Sequence, residues 1–170
     1  MIKAAFCDDD LSVLNELHVL MDNYRVERNQ EITYTAFHSP LELIAQIEKG
    51  MRFDILFLDV LMPGVNGIET AQEIREYDSA MKIIFLTSSA EYAVESYTVN
   101  AYFYQLKPIW PESFYRLMDS VLKECAQEQR RSLILRCKSG ITQISLDRLM
   151  YCEVQGRTLV FHMQNGEQLE

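Results

Sequence analysis

The feature that most constrains this chain is its series of short, strand-sized runs, each followed by a stretch with helical spacing. Ile55–Leu58 and Ile83–Leu86 are unbroken apolar runs, Ile2–Cys7 is nearly so, and Ile32–Phe37 and Tyr102–Leu106 also read as strands. Strands without polar alternation are buried on both faces. After the first run, Leu11, Leu14, Leu17, Val19, Leu20 and Tyr24 recur at helical spacing. Ser39-Pro40 opens a second helix with Ser39 as its cap, Leu41, Ile44, Ala45 and Ile47 line it, and Gly50 ends it. Ile68, Ala71, Ile74 and Arg75 mark a third helix, residues 91–99 a fourth, and Pro111 to about Glu128 a fifth. Five strands alternating with five helices predict an α/β fold, a doubly wound parallel sheet covered by helices on both faces. Sheets of this kind gather their functional groups at the carboxyl ends of the strands.

Those ends carry a specific set of side chains. Asp8, Asp9 and Asp10 follow the first strand, Asp59 the third, Thr87-Ser88-Ser89 the fourth, and Lys107-Pro108 the fifth. Several carboxylates at one point repel strongly unless a cation joins them. Mg²⁺ is the natural cation, because it takes oxygen ligands and pairs with phosphate substrates. Asp59 can then attack phosphorus and form an aspartyl-phosphate. A lysine ammonium would neutralise the transferred group, and the Thr87 hydroxyl would bond it. Taken singly the signals are ordinary. A lone Asp after a strand is more often a helix cap, which is the reading for Asp10, and Ser88 and Ser89 read as caps of the next helix. The joint placement singles out Asp8, Asp9, Asp59, Thr87 and Lys107.

The pattern resembles the receiver domain of two-component response regulators. The matching residues are Asp8-Asp9, Asp59 within Phe57-Leu58-Asp59-Val60-Leu61-Met62-Pro63-Gly64, Thr87 within Phe85-Leu86-Thr87-Ser88-Ser89, and Lys107-Pro108 after Tyr104-Gln105-Leu106. The resemblance covers about residues 1–128 and implies a flavodoxin-like, five-stranded fold. It implies Asp59 as the phospho-acceptor and a sensor histidine kinase as the donor. Mg²⁺ would be held by Asp9 and Asp59, by Asp8 largely through water, and by the backbone carbonyl of Leu61. Thr87 would be the switch hydroxyl, Tyr104 the aromatic that turns with it, and Lys107 the partner of the phosphoryl group. The Lys107-Pro108 bond is often cis in this family. Tyr92, Tyr97, Tyr102, Phe103 and Tyr104 divide between core packing and a signalling face of the fourth helix, fifth strand and fifth helix, through which a homodimer is expected.

Charge divides the chain. Residues 1–129 carry a balance of −11 and residues 130–170 one of +2, which places a boundary near Arg130-Arg131. The expected organisation is a receiver domain over 1–128, a linker at 129–131 and a second segment over 132–170. That segment reads as short strands at 133–137, 142–144, 149–153 and 158–162, punctuated by Gly140, Gly156 and Asn165-Gly166. Ile144, Leu149, Tyr151, Glu153 and Gly156 resemble the start of a LytTR-type DNA-binding domain. Such a domain needs roughly twice this length, so sequence-specific DNA binding is expected only of a complete protein.

Apolar residues make up 48% and charged residues 24%, the balance of a globular protein. No apolar run approaches the about 20 residues of a membrane span, and the N-terminus has no signal-like segment, so a cytoplasmic location is expected. The four cysteines and three histidines form no metal-ligand spacing. Two other readings compete. Asp8-Asp9-Asp10-Leu11-Ser12 echoes the opening of a haloacid-dehalogenase-like phosphatase, with Asp8 as nucleophile and Asp10 as acid. That reading lacks a second acidic pair after Lys107 and leaves Asp59 without a role. The other is a receiver that sequesters a kinase without DNA output. The leading expectation is a signalling phospho-acceptor, with no turnover of a diffusible substrate.

Overall fold

The computed structural model describes every residue except 131, 138, 139, 165, 167 and 170. The chain divides into two compact units, Met1–Val121 and Leu122–Glu170. The first is built from β1 (Ile2–Cys7), α1 (Leu11–Arg28), β2 (Ile32–Phe37), α2 (Pro40–Glu48), β3 (Ile55–Leu58), the two-residue strands β4 (Leu61–Met62) and β5 (Val65–Asn66), α3 (Gly67–Tyr77), β6 (Lys82–Thr87), β7 (Phe103–Leu106) and α4 (Pro111–Arg130), within which the division falls. β1, β2, β3, β6 and β7 form one parallel sheet in the order β2-β1-β3-β6-β7. The order reverses between β1 and β3, because the chain first winds outward to β2 and then returns to the other side. This is the expected doubly wound sheet.

Burial explains why these runs became central strands. All four residues of β3 are buried, and so are the last four of β1 and the last five of β6. On one face of the sheet Ala5, Cys7, Leu56, Leu58, Ile83 and Phe85 meet Leu43, Ile44 and Ile47 of α2 and Ala71 and Ile74 of α3. On the other, aromatic rings run in a chain: Phe6 meets Phe57 edge to face at 5.6 Å, Phe57 stacks on Phe114 at 5.6 Å, and Tyr24 meets Phe114 edge to face at 6.2 Å. Each fully buried side chain of this size contributes about 1.5–3 kcal/mol. The Tyr24 hydroxyl reaches Asp119 at 2.8 Å, so even this apolar face ends in a satisfied polar contact.

Helix starts follow their expected chemistry. Asp10 caps α1 by accepting from the Ser12 N–H, and Ser39 caps α2 by accepting from the Leu41 N–H. One expected helix is absent. Residues 91–94 are turns, and only Glu95–Val99 is helical, as a single 3₁₀ stretch. The Ser96 hydroxyl donates to the Ala93 carbonyl and the Thr98 hydroxyl to the Glu95 carbonyl, each at 2.7 Å, bonds that compete with the helical amide pattern and weaken it.

The expected linker also differs: α4 runs through Arg130, so residues 129 and 130 close a helix. Residue 131 and the turn residue 165 lie outside the described residues. In the second unit, β8 (Ser132–Cys137) and β9 (Gly140–Ser145) pair as an antiparallel hairpin. β10 (Leu149–Gln155), β11 (Thr158–Met163) and β12 (Gln168–Leu169) form an antiparallel sheet. The described residues include no helix long and apolar enough to cross a membrane.

Arg75 does a job that its place on α3 did not announce. Its guanidinium donates to four carbonyls: Val99 and Met81 at 2.8 Å, Asp78 and Asn100 at 3.1 Å. It thereby ties the end of α3 to the segments that lead into β6 and β7. Arg75→Met should cost about 2–4 kcal/mol, since it strands several acceptors at once; a urea midpoint unchanged from wild type would contradict this accounting.

Candidate functional site

Sheet register decides which side chains meet. Cys7 lies opposite Leu58, Leu58 opposite Phe85, and Thr87 opposite Leu106. The next residues along, Asp8, Asp59 and Lys107, therefore emerge together at the carboxyl rim, where the strand order reverses. Backbone bonds extend the ladder to them. The Asp59 N–H donates to the Cys7 carbonyl at 2.9 Å, and the Lys107 N–H to the Thr87 carbonyl at 2.8 Å.

Asp8 and Asp59 are buried to 2% and 5% exposure, whereas Asp9 is exposed. One oxygen from each of the three carboxylates lies within 4.8 Å of the others. Two unit charges at this distance repel by about 3–4 kcal/mol at an effective dielectric near 20. Lys107 supplies the compensating charge, its Nζ lying 2.7 Å from Oδ2 of Asp8 and 2.7 Å from Oδ2 of Asp59. One ammonium against three carboxylates leaves the cluster net negative. Burial works against the charge on Lys107, but the hydrogen bonds and charges of Asp59 and Asp8 outweigh it and hold its pKa above the ordinary lysine value. Burial pushes the Asp8 carboxyl up, against the pull of Lys107 and of the Asp10 N–H. A hard dication with oxygen preference fits such a donor set. Cys7, just beneath, is no competitor, because burial and the surrounding carboxylates push its thiol up to about 12.

Thr87 is fully buried, and its Oγ1 accepts the Ser89 N–H at 3.4 Å. Tyr104 is half-buried, and its hydroxyl donates to the Ser89 carbonyl at 2.6 Å. Ser89 therefore joins the two, a link that its reading as a cap did not contain; it also accepts the Glu91 N–H, as a cap would. The Leu61 N–H donates to Asp59 Oδ1 at 3.1 Å, which holds the Leu61 backbone beside the acid cluster. The Lys107–Pro108 bond is cis. Asp10 turns away: its carboxylate accepts from both the N–H and the hydroxyl of Ser12, and those bonds hold its pKa below the usual range. A general acid needs the opposite shift, so Asp10 is unsuited to the phosphatase role.

Gly67 makes a contact that the chain pattern does not show. Its N–H donates to the Val60 carbonyl at 2.9 Å. A Cβ at this position would fall on the Asp59 carbonyl oxygen and lie 2.7 Å from Val60 Cα. The paired strands β4 and β5 close the loop between, with Leu61 opposite Asn66. The first residue of α3 thus rests directly on the backbone of Asp59. Gly67→Ala should cost about 1–3 kcal/mol by overpacking and displace the Asp59 backbone; denaturant unfolding together with Asp59 amide shifts checks both, and an unmoved Asp59 signal would count against the contact.

Comparison with known proteins agrees with this geometry. The family model for the response regulator receiver domain matches residues 5–120. The chain is 31% identical over 124 residues to the sensory transduction protein LytT of Oceanobacillus iheyensis, covering 69% of this chain and 50% of that protein. It is 25% identical over 159 residues to the transcriptional regulatory protein NatR of Bacillus subtilis, covering 93% and 66%. It is 32% identical over 104 residues to the transcriptional regulatory protein YpdB of Escherichia coli, covering 56% and 42%. The matched segments thus span between 42% and 66% of these relatives' lengths. Among solved structures, the response regulatory domain of mrkE from Klebsiella pneumoniae superposes with a TM-score of 0.66 at 23% identity, over 74% of this chain and 99% of that one. The chemotaxis protein CheY4 of Vibrio cholerae gives 0.61 at 25% identity, over 71% and 98%. With its parallel sheet, its acid cluster and its bridging lysine, the chain belongs to the response regulator receiver domain family.

Proposed function

We propose that this chain is a phosphorylation-controlled regulator whose phospho-acceptor is Asp59. The observation that carries the reading is the Lys107 ammonium at 2.7 Å from both Asp8 and Asp59, inside a cluster of three carboxylates. In the transfer, an Asp59 oxygen forms a bond to phosphorus while the P–N bond of a donor phosphohistidine breaks, and the imidazole leaves with the bonding pair. Lys107 meets the charge of the incoming phosphoryl oxygens, and Thr87 reaches them through its hydroxyl. Asp8, Asp9, Asp59 and the Leu61 carbonyl would hold Mg²⁺, which neutralises phosphoryl charge when bound. The chemistry is self-phosphorylation and self-dephosphorylation in the cytoplasm, with a sensor histidine kinase as donor.

The output side rests on the second unit and on the relatives. Two of the matched proteins carry the name transcriptional regulatory protein. The strands of the second unit fall where a LytTR-type output was expected, so control of transcription is proposed for a protein that carries that output complete. Val94, Tyr97, Phe103 and Leu106 are exposed apolar side chains on the face proposed for homodimer formation.

Incubation with Mg²⁺ and acetyl phosphate should add one acid-stable, alkali-labile phosphoryl group per chain, measured by intact mass. Asp59→Asn should abolish it. A group that survives Asp59→Asn but vanishes in Asp8→Asn would overturn the assignment in favour of phosphatase-like chemistry.

A further inference from the structure

Asp8 and Asp59 share Lys107, and each is also held by the main chain. Oδ2 of each meets the Lys107 ammonium at 2.7 Å. Oδ1 of each accepts a backbone N–H two residues further on, from Asp10 at 2.9 Å and from Leu61 at 3.1 Å. The two supports differ in what stands behind them. Leu61 belongs to β4, and pairing with β5 fixes its backbone. Asp10 belongs to no strand, and its own side chain fixes its backbone. The Asp10 carboxylate accepts the Ser12 N–H at 2.8 Å and the Ser12 hydroxyl at 2.6 Å. Asp10 and Ser12 are exposed, yet they govern where the buried Asp8 carboxylate can sit.

Capping of α1 does not by itself require this arrangement. An N-cap side chain serves the amides of the first turn and leaves the cap's own N–H over. In a capping box that N–H is taken by Glu or Gln at the third helical position. Here the third position is Val13, which has no side-chain acceptor, and the Asp10 N–H goes to Asp8 instead. One residue therefore starts the helix with its side chain and restrains Asp8 with its main chain. A carboxylate bonded at both oxygens cannot turn about its Cβ–Cγ bond without losing a partner. Asp8 thus keeps Lys107 shared between two acids, where an unrestrained Asp8 would leave the ammonium to Asp59.

We propose that Asp10 is a positioning residue of the phospho-acceptor site. Held by Ser12, it fixes Asp8 through its backbone N–H, and Asp8 so fixed sets the acid cluster for Mg²⁺ before the ion arrives. The role is exercised through Asp8 and through position, and the charge of Asp10 has no part in it. A cluster ordered on folding binds more tightly than one that must be ordered on binding. The proposal rests on the reading of Asp59 as phospho-acceptor and of its cluster as a Mg²⁺ site.

The test is Mg²⁺ titration of the full chain, followed by amide shifts, with a urea midpoint for each variant. Asp10→Ala should raise the Mg²⁺ dissociation constant about fivefold, the order of effect that a lost helix cap has on an equilibrium. Ser12→Ala keeps its N–H and should raise it less. Asp10→Asn keeps a capping oxygen and removes only an exposed, screened charge, so it should bind within about twofold of wild type. In an Asp8→Ala chain, Asp10→Ala should leave Mg²⁺ affinity where it was and still lower the urea midpoint. That split separates positioning from helix stability. Asp10→Asn as weak as Asp10→Ala overturns the proposal, because charge then accounts for the loss. An Asp10→Ala chain that binds like wild type overturns it too, as does an Asp10→Ala effect that persists undiminished without the Asp8 carboxylate. A wild type that binds no Mg²⁺ at this cluster overturns the reading of the site itself, and the positioning role falls with it.

Discussion

Three carboxylates brought within 4.8 Å of one another, two of them buried, are the condition around which the first unit is organised. Such a group is stable only with positive charge inside it. Lys107 provides it from the far edge of the sheet, since β7 is two strands away from β3 and three from β1. The ion pairs therefore require that all the central strands keep register at once. A slip of one residue in β6 or β7 would turn Lys107 to the other face and leave the acids without a partner. Hydrophobic burial stabilises the sheet, and the buried charges make one register far better than its neighbours.

Much of this was legible in the chain because the relevant signals are local or additive. Ile55–Leu58 and Ile83–Leu86 could hardly be anything but central strands, and Asp59 stands immediately after the first of them. Asp8, Lys107 and Thr87 were legible for the same reason: strand ends converge in a parallel sheet, whatever fills its interior. The helix at 91–99 was misread because periodicity reports which faces are apolar and is silent on how hydroxyls compete with amides. Ser96 and Thr98 each find a carbonyl three residues back, and that competition is invisible to an apolar pattern.

The other omissions share a different cause. Gly67 and Arg75 act on backbone atoms well removed along the chain, on Asp59 and Val60 in one case and on Val99 and Asn100 in the other. Backbone carbonyls carry no sequence identity, so nothing in the residue types points from arginine to its acceptors. That α3 begins in contact with Asp59, the residue its preceding loop follows, is visible only in three dimensions.

A carboxylate in solution is symmetric: its two oxygens exchange by a half-turn and offer an approaching electrophile the same choice twice. In Asp59 that symmetry is broken before anything binds. Oδ1 is held by the Leu61 N–H, a donor from its own loop, and Oδ2 by Lys107, a donor from the edge of the sheet. The two oxygens differ in the charge and in the stiffness of what holds them, and the line along which a group can arrive differs accordingly. One main-chain amide and one side-chain cation thus tell the two oxygens apart before any donor arrives.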